Sequence, residues 1–428
     1  MVVENRRVEQ TTLPNGLIVV TEPMPHVRSV SAGICIKTGS RSETPELGGI
    51  SHFIEHMVFK GTSRRTAEAI AREVDSLGGM VDAFTAKEMV CFNTRVLDEH
   101  LEAIFDVLTD MVLDPLFPED EIARERSVIL EEIRMVEDNP EDLVYEMFSQ
   151  NLWGHHPLGR PILGTSETVG SFDRAAITSA FSRWYASDNI VITAAGNISH
   201  QQILDLVAPR FGNRAPAAPA ANARAEAPPA PLAELASRSK RELEQVHICI
   251  GVPACSMTDP RRYAASLLNN LLGSGMSSRL FQNIREKQGL AYAIFSDTNH
   301  YRDAGMLTIY AGTSLETTER LINSVTKELR DLKENGVTAE ELRRCKANLK
   351  GGTLLSLEST GSRMSDLARQ FLYFGRYTSP EDRIAAMEAV TAEEIQQLAN
   401  GMFQPSRVAA AILGNLNGFH LRPAHLSC

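Results

Sequence analysis

At 428 residues with 43% hydrophobic side chains, the chain is too long for one core and ample for two. Its net charge of −11 argues against nucleic acid as a partner, and no window reaches the length of a membrane span. The six cysteines (Cys35, Cys91, Cys249, Cys255, Cys345, Cys428) are scattered, with no CxxC pair. They read as reduced, mostly buried thiols in a cytoplasmic protein, an expectation that the N-terminal residues, lacking an apolar signal-type segment, also favour.

In chain order, Pro14-Asn15-Gly16 marks a turn between two short β-prone runs, and residues 30–37 read as a strand packed under helices. Gly48 and Gly49 precede a short helix. A second helix over 66–77 ends at Gly78-Gly79, a C-cap signal. Two strands, 80–85 and 89–96, follow across a short polar turn. Apolar spacing of three and four predicts a packed helix over 97–113, then a long acidic helix over 118–137 and a Pro-started helix over 140–152. His155 and His156 fall in a proline- and glycine-flanked loop, where neighbours cannot readily face one ion, and a structural role is expected. A helix through Trp184-Tyr185, a strand over 189–196 and a helix over 201–211 close the first half.

The short helix after Gly49 carries His52, Phe53, Ile54, Glu55 and His56. Positions i, i+3 and i+4 share a helix face, so His52, Glu55 and His56 project together while Phe53, Ile54, Met57 and Val58 turn elsewhere. Imidazoles are good zinc ligands, and a carboxylate beside them can take the proton that an attacking water must lose. The order His-x-x-Glu-His is the inverted zincin motif. Catalytic zinc usually takes a third protein ligand, and the acidic helix over 118–137 offers several candidates.

These residues resemble the pitrilysin/insulinase-type metallopeptidases, a family that includes the mitochondrial processing peptidases and their bacterial relatives. The resemblance implies that Glu132, which follows His56 by 76 positions (132 − 56) in the segment RERSVILEEI, is the third ligand. Glu131 points about 100° away on a helix, so only one of the two can face the metal. The resemblance also makes Glu125, two turns earlier, a carboxylate that orients a ligand or the water.

Residues 213–237 alternate alanine and proline with almost no large apolar side chain, and read as a linker. Beyond it the pattern of the first half returns. Trp184-Tyr185 and Gly196-Asn197 match Met402-Phe403 and Gly414-Asn415 at a displacement of 218 (414 − 196), and Leu97 matches Leu315. This internal duplication predicts an α+β protein of two homologous domains, 1–212 and 238–428, each a mainly antiparallel sheet backed by helices. The counterpart of the motif helix, residues 261–272, has no histidine or glutamate at ligand spacing, so one Zn2+ per chain is expected.

Family members carry an arginine and a tyrosine spaced like Arg285 and Tyr292. The resemblance implies that these hold the substrate backbone and steady the oxyanion. It also implies that the strand of Ala83, Phe84 and Thr85 receives an extended peptide along its edge. Asp82 stands where several relatives have asparagine; it keeps main-chain pairing but cannot act as an amide donor. The expected protein is therefore a zinc endopeptidase acting on peptides or unfolded segments, the alternative being a non-catalytic scaffold or peptide-binding subunit. The longest relatives join four such domains, so a homodimer sharing its site between copies is expected.

Overall fold

Residues 7–216 and 229–428 are described by a computed structural model. In chain order the elements are β1 (Glu9–Thr12), β2 (Ile18–Pro23), β3 (Ser29–Ile36), α1 (Ile50–Val58), α2 (Ala67–Ser76), β4 (Met80–Thr85), β5 (Val90–Leu97), α3 (Leu101–Leu113), α4 (Glu119–Asp138), α5 (Pro140–Trp153), α6 (Ser166–Ser171), α7 (Arg174–Trp184), β6 (Ile190–Gly196), α8 (His200–Phe211), β7 (Leu235–Ser239), β8 (Val246–Pro253), α9 (Arg262–Leu272), β9 (Ala293–His300), β10 (Gly305–Thr313), α10 (Leu315–Glu334), α11 (Ala339–Ser356), α12 (Thr360–Phe374), α13 (Pro380–Ala389), α14 (Ala392–Met402) and β11 (Ala409–Gly414).

Two sheets result, ordered β1-β2-β6-β3-β5-β4 and β7-β11-β8-β10-β9. They share one plan. In the first, β2 and β6 run parallel and the other neighbours antiparallel; in the second, β7 and β11 run parallel and the rest antiparallel. β3 and β8 occupy matching places, and both are buried along almost their whole length because helices cover both faces. The duplication seen as a displacement of 218 positions is thus carried into topology.

Two compact units form, one of residues Met1–Arg134, Pro161–Glu226 and Leu355–Tyr377, the other of Met135–Arg160, Ala227–Leu354 and Thr378–Cys428. A cut at the linker does not give these units, because each contains a helix from the other half of the sequence. In the first unit α12 lies on β6, β3 and β2, burying Leu367 and Phe371 against Val20 and Val191, and Met364 against Met24 and Ala195. In the second unit α5 lies on β11 and β8, burying Val144, Phe148 and Leu152 against Cys249, Ala409 and Ala411.

The two contacts are built alike. A Cβ on Gly33 of β3 would meet Met364 Sδ at 2.6 Å, and a Cβ on Gly251 of β8, again 218 positions on (251 − 33), would meet Phe148 Cζ at 2.5 Å. Each helix seats its side chain where the strand has none.

Two further expectations need correction. Residues 235–237 of the expected linker belong to β7, which pairs in parallel with β11; residues 217–228 of that linker lie outside the described residues. Cys35 and Cys91 are not reduced thiols but a disulfide. They sit directly opposite each other on β3 and β5, so the strand register supplies a proximity that 56 residues of intervening sequence hide. The other four cysteines are free and buried, as expected, yet the pair removes part of the ground for placing the chain in a reducing compartment. Among the described residues no helix is long and apolar enough to cross a membrane.

Candidate metal centre

The site begins with the fit of α1 into the first unit. Phe53, Ile54, Met57 and Val58 are fully buried in the core, which turns the opposite stripe, His52, Glu55 and His56, toward the half-open side. The start of the helix is fixed twice. Gly49 is left-handed at φ +94°, and a Cβ there would lie 2.5 Å from Leu163 O, so no larger residue fits. The buried Glu43 carboxylate accepts from the backbone N–H groups of Gly49 and Ser51, both at 2.8 Å, placing an anion on the positive end of the helix. Nothing in the spacing of Glu43 pointed to this role.

α4 brings the acidic side chains. Glu132 Oε2 lies 3.7 Å from His52 Nε2 and 3.7 Å from His56 Nε2. One atom from each of these residues falls within 4.8 Å of the others, and no other group of ligand-type side chains gathers in this way among the described residues. Glu131 instead pairs with Arg134 on the exposed side of the helix. Two turns before Glu132, buried Glu125 places Oε2 2.9 Å from His56 Nδ1 and Oε1 2.6 Å from Lys60 Nζ. With Nδ1 tied to a carboxylate, the imidazole of His56 is held with Nε2 facing Glu132. Lys60 went unnoticed in the sequence, although it stands one turn beyond His56.

The electrostatics fit a cation. Burial, with a smaller contribution from the neighbouring His56, pushes His52 down to about 3, leaving this imidazole neutral and able to donate a lone pair. Two imidazoles, one carboxylate and an open side match the three-ligand pattern of catalytic zinc, whose donor atoms stand roughly 2 Å from the ion. Burial also raises Glu55, while the Thr85 hydroxyl, which donates to Glu55 Oε2, and His56 oppose the rise. Thr85 therefore sends its side chain to Glu55. Ala83 packs toward the core and Phe84 stands exposed on the other face. All three lie on β4, which ends its sheet and, among the described residues, pairs with β5 alone.

Arg285 and Tyr292 belong to the second unit and come together there. Arg285 lies in a π-helical turn, Phe281–Glu286, its guanidinium carbon 4.5 Å from the centre of the Phe281 ring and 5.2 Å from that of Tyr292. Such turns recur at functional sites, and Tyr292, just before β9, is 81% exposed. His156 caps the turn that follows it by accepting from the Leu158 N–H at 3.2 Å, in keeping with a structural role.

Fold and side-chain set together define a two-unit α+β chain with a His-x-x-Glu-His helix in the first unit and His52, His56 and Glu132 gathered as a candidate metal site. Residues 18–166 match the family described as insulinase (peptidase family M16), and residues 171–349 match the peptidase M16 inactive domain. A protein of Bacillus subtilis (strain 168), named an uncharacterized zinc protease, is 42% identical over 95% of this chain and 98% of its own length. One of Streptomyces coelicolor with the same description is 38% identical over 96% of this chain and 90% of its own. The chain belongs to peptidase family M16. Its fold is that of the M16 inactive domain structure from Pseudomonas fluorescens (TM-score 0.88, 23% identity, covering 95% of this chain and 98% of that one) and of a protease from Helicobacter pylori (TM-score 0.86, 22% identity, covering 95% and 99%).

Proposed function

We propose that the protein is a zinc-dependent endopeptidase acting on peptides or unfolded segments. The observation that carries this reading is the approach of Glu132 Oε2 to the Nε2 atoms of both His52 and His56, at 3.7 Å each, with Glu55 on the same helix face. His52, His56 and Glu132 would hold one zinc per chain, and Glu125 would keep His56 in its binding tautomer. Zinc, when bound, supplies Lewis acidity toward water and toward the scissile carbonyl.

Glu55 accepts the proton that the attacking water gives up and passes it to the leaving amine as the C–N bond breaks. Thr85 holds that carboxylate in place. The free edge of β4 at Ala83, Phe84 and Thr85 takes the substrate as an added strand through main-chain hydrogen bonds. Arg285 and Tyr292 donate to the substrate backbone and to the developing oxyanion, supplied to each zinc centre by the other copy of a homodimer.

The test is cleavage of an unfolded protein by the purified chain, with and without a chelator, followed by zinc readdition. Loss with the chelator and recovery with zinc are expected. A chain that binds zinc and cleaves nothing would instead be the scaffold or peptide-binding subunit.

A further inference from the structure

We propose that Asp82 selects a basic side chain in the peptide lying along β4, with apolar side chains favoured two positions to either side of it. This inference rests on the peptidase reading and names the substrate class of that site.

Along β4 burial alternates without a break: Met80, Asp82 and Phe84 are exposed, whereas Val81, Ala83 and Thr85 are half-buried. Val81 and Ala83 pack on the core and Thr85 turns to Glu55, so the even-numbered residues form a row on the opposite face. Met80 is 50% exposed and Phe84 39% exposed, large values for apolar side chains on a strand. Between them the Asp82 side chain makes no hydrogen bond or ion pair among the described residues.

A strand added to the edge of β4 must place one residue opposite Asp82 on the same face, and the residues two before and two after it opposite Met80 and Phe84. This holds whether the peptide runs parallel or antiparallel. A lysine or arginine opposite Asp82 meets an unpaired carboxylate, whereas a glutamate meets like charge from Asp82. An edge charge can also guard a sheet against aggregation. That role would be indifferent to which side chain a peptide carries.

The experiment uses the zinc-loaded chain and a peptide series that differs only by lysine, alanine or glutamate placed at each position around the cleaved bond. At one position kcat/KM should rise about threefold for lysine over alanine and about tenfold for lysine over glutamate, shrinking as salt is added. Asp82→Asn should flatten the ratio, Asp82→Lys should reverse it toward glutamate, and Phe84→Ala should relax the apolar preference two positions along. The affinities of the same peptides for the Glu55→Gln chain, measured by fluorescence anisotropy, should follow the same order without turnover. Cleavage with no charge preference, or a preference unmoved by both Asp82 substitutions, overturns the inference and leaves the peptidase reading standing. No cleavage of any peptide overturns the peptidase reading, and binding without charge order then overturns the inference as well.

Discussion

α1 of the first unit and α9 of the second are counterparts, helices that follow matching strands, β3 and β8, in sheets of one plan. α9 settles its polar groups among its neighbours: Asn270 donates to Asn348 at 2.9 Å, and Asn269 accepts from the Ser296 hydroxyl at 2.7 Å. On α1 the polar groups are left partly unsettled. Two Nε2 atoms converge on one carboxylate, and the buried Nδ1 of His52 has no partner. Side-chain hydrogen bonds thus hold α9 among its neighbours, whereas α1 turns two imidazoles toward one carboxylate, a set of ligand-type atoms that α9 lacks. The frame is common to both; the ligand-type atoms gather in the first alone, among the described residues.

The largest effect should come from breaking the frame. A chain of residues 1–212 loses α12, and with it Leu367, Phe371 and Met364. At about 2 kcal/mol for each buried apolar side chain the loss is of the order of 6 kcal/mol, comparable with the whole stability of a domain, commonly about 5–15 kcal/mol. This fragment is expected to be insoluble or to lack a cooperative thermal transition, and a peptide of residues 355–377 should restore one. A fragment that melts cooperatively by itself would show that the helix exchange is unimportant for folding.

Most strands and helices were legible because one period dominated each: β4 lies where alternation and turn signals put it, and α4 falls within a residue of the expected span at each end. Two of the three ligand-type residues were legible too, since helical spacing brings His52 and His56, with Glu55, to one face; the choice of Glu132 rested on the family resemblance. Which sheet a helix covers is another matter. The apolar stripe of α12 says that something must be covered, and nothing in it says that this is the sheet of the other half of the sequence. β7 escaped notice because LASRS is short and half polar and gains its place only by pairing with β11. Cys35 with Cys91 and Glu43 with the start of α1 are contacts of tertiary register, without local periodicity to announce them.

Within the first unit, Glu55→Gln should leave the fold and the zinc content intact while lowering kcat by about 10²–10⁴. Zinc measured by atomic absorption and cleavage measured on the same sample separate the two. Undiminished cleavage would remove Glu55 as the base. Glu132→Gln should cost zinc, whereas Glu131→Gln, which disturbs an exposed pair with Arg134, should retain it; the opposite outcome would exchange their roles. Glu125→Gln leaves the fold but weakens the carboxylate that holds His56, and zinc affinity should fall by about 10–100-fold. If a chelator competition finds no change, the hydrogen bond at 2.9 Å is not what orients the ligand.

The smallest expected effect tests whether the plain unit serves the equipped one. A zinc centre with its own base still needs donors for the oxyanion, and the side chains proposed for that, Arg285 and Tyr292, lie together in the second unit, the guanidinium over the tyrosine ring. If a homodimer pairs the first unit of one copy with the second unit of the other, a Glu55→Gln chain and a Tyr292→Phe chain, each impaired alone, should complement after subunit exchange. Each heterodimer would contain one intact site and one doubly altered site, so activity should return to about half of the wild-type rate per dimer, a twofold deficit. Exchange is followed by mass spectrometry of differently tagged chains. Proven exchange without recovery would mean that Tyr292 serves its own chain or none.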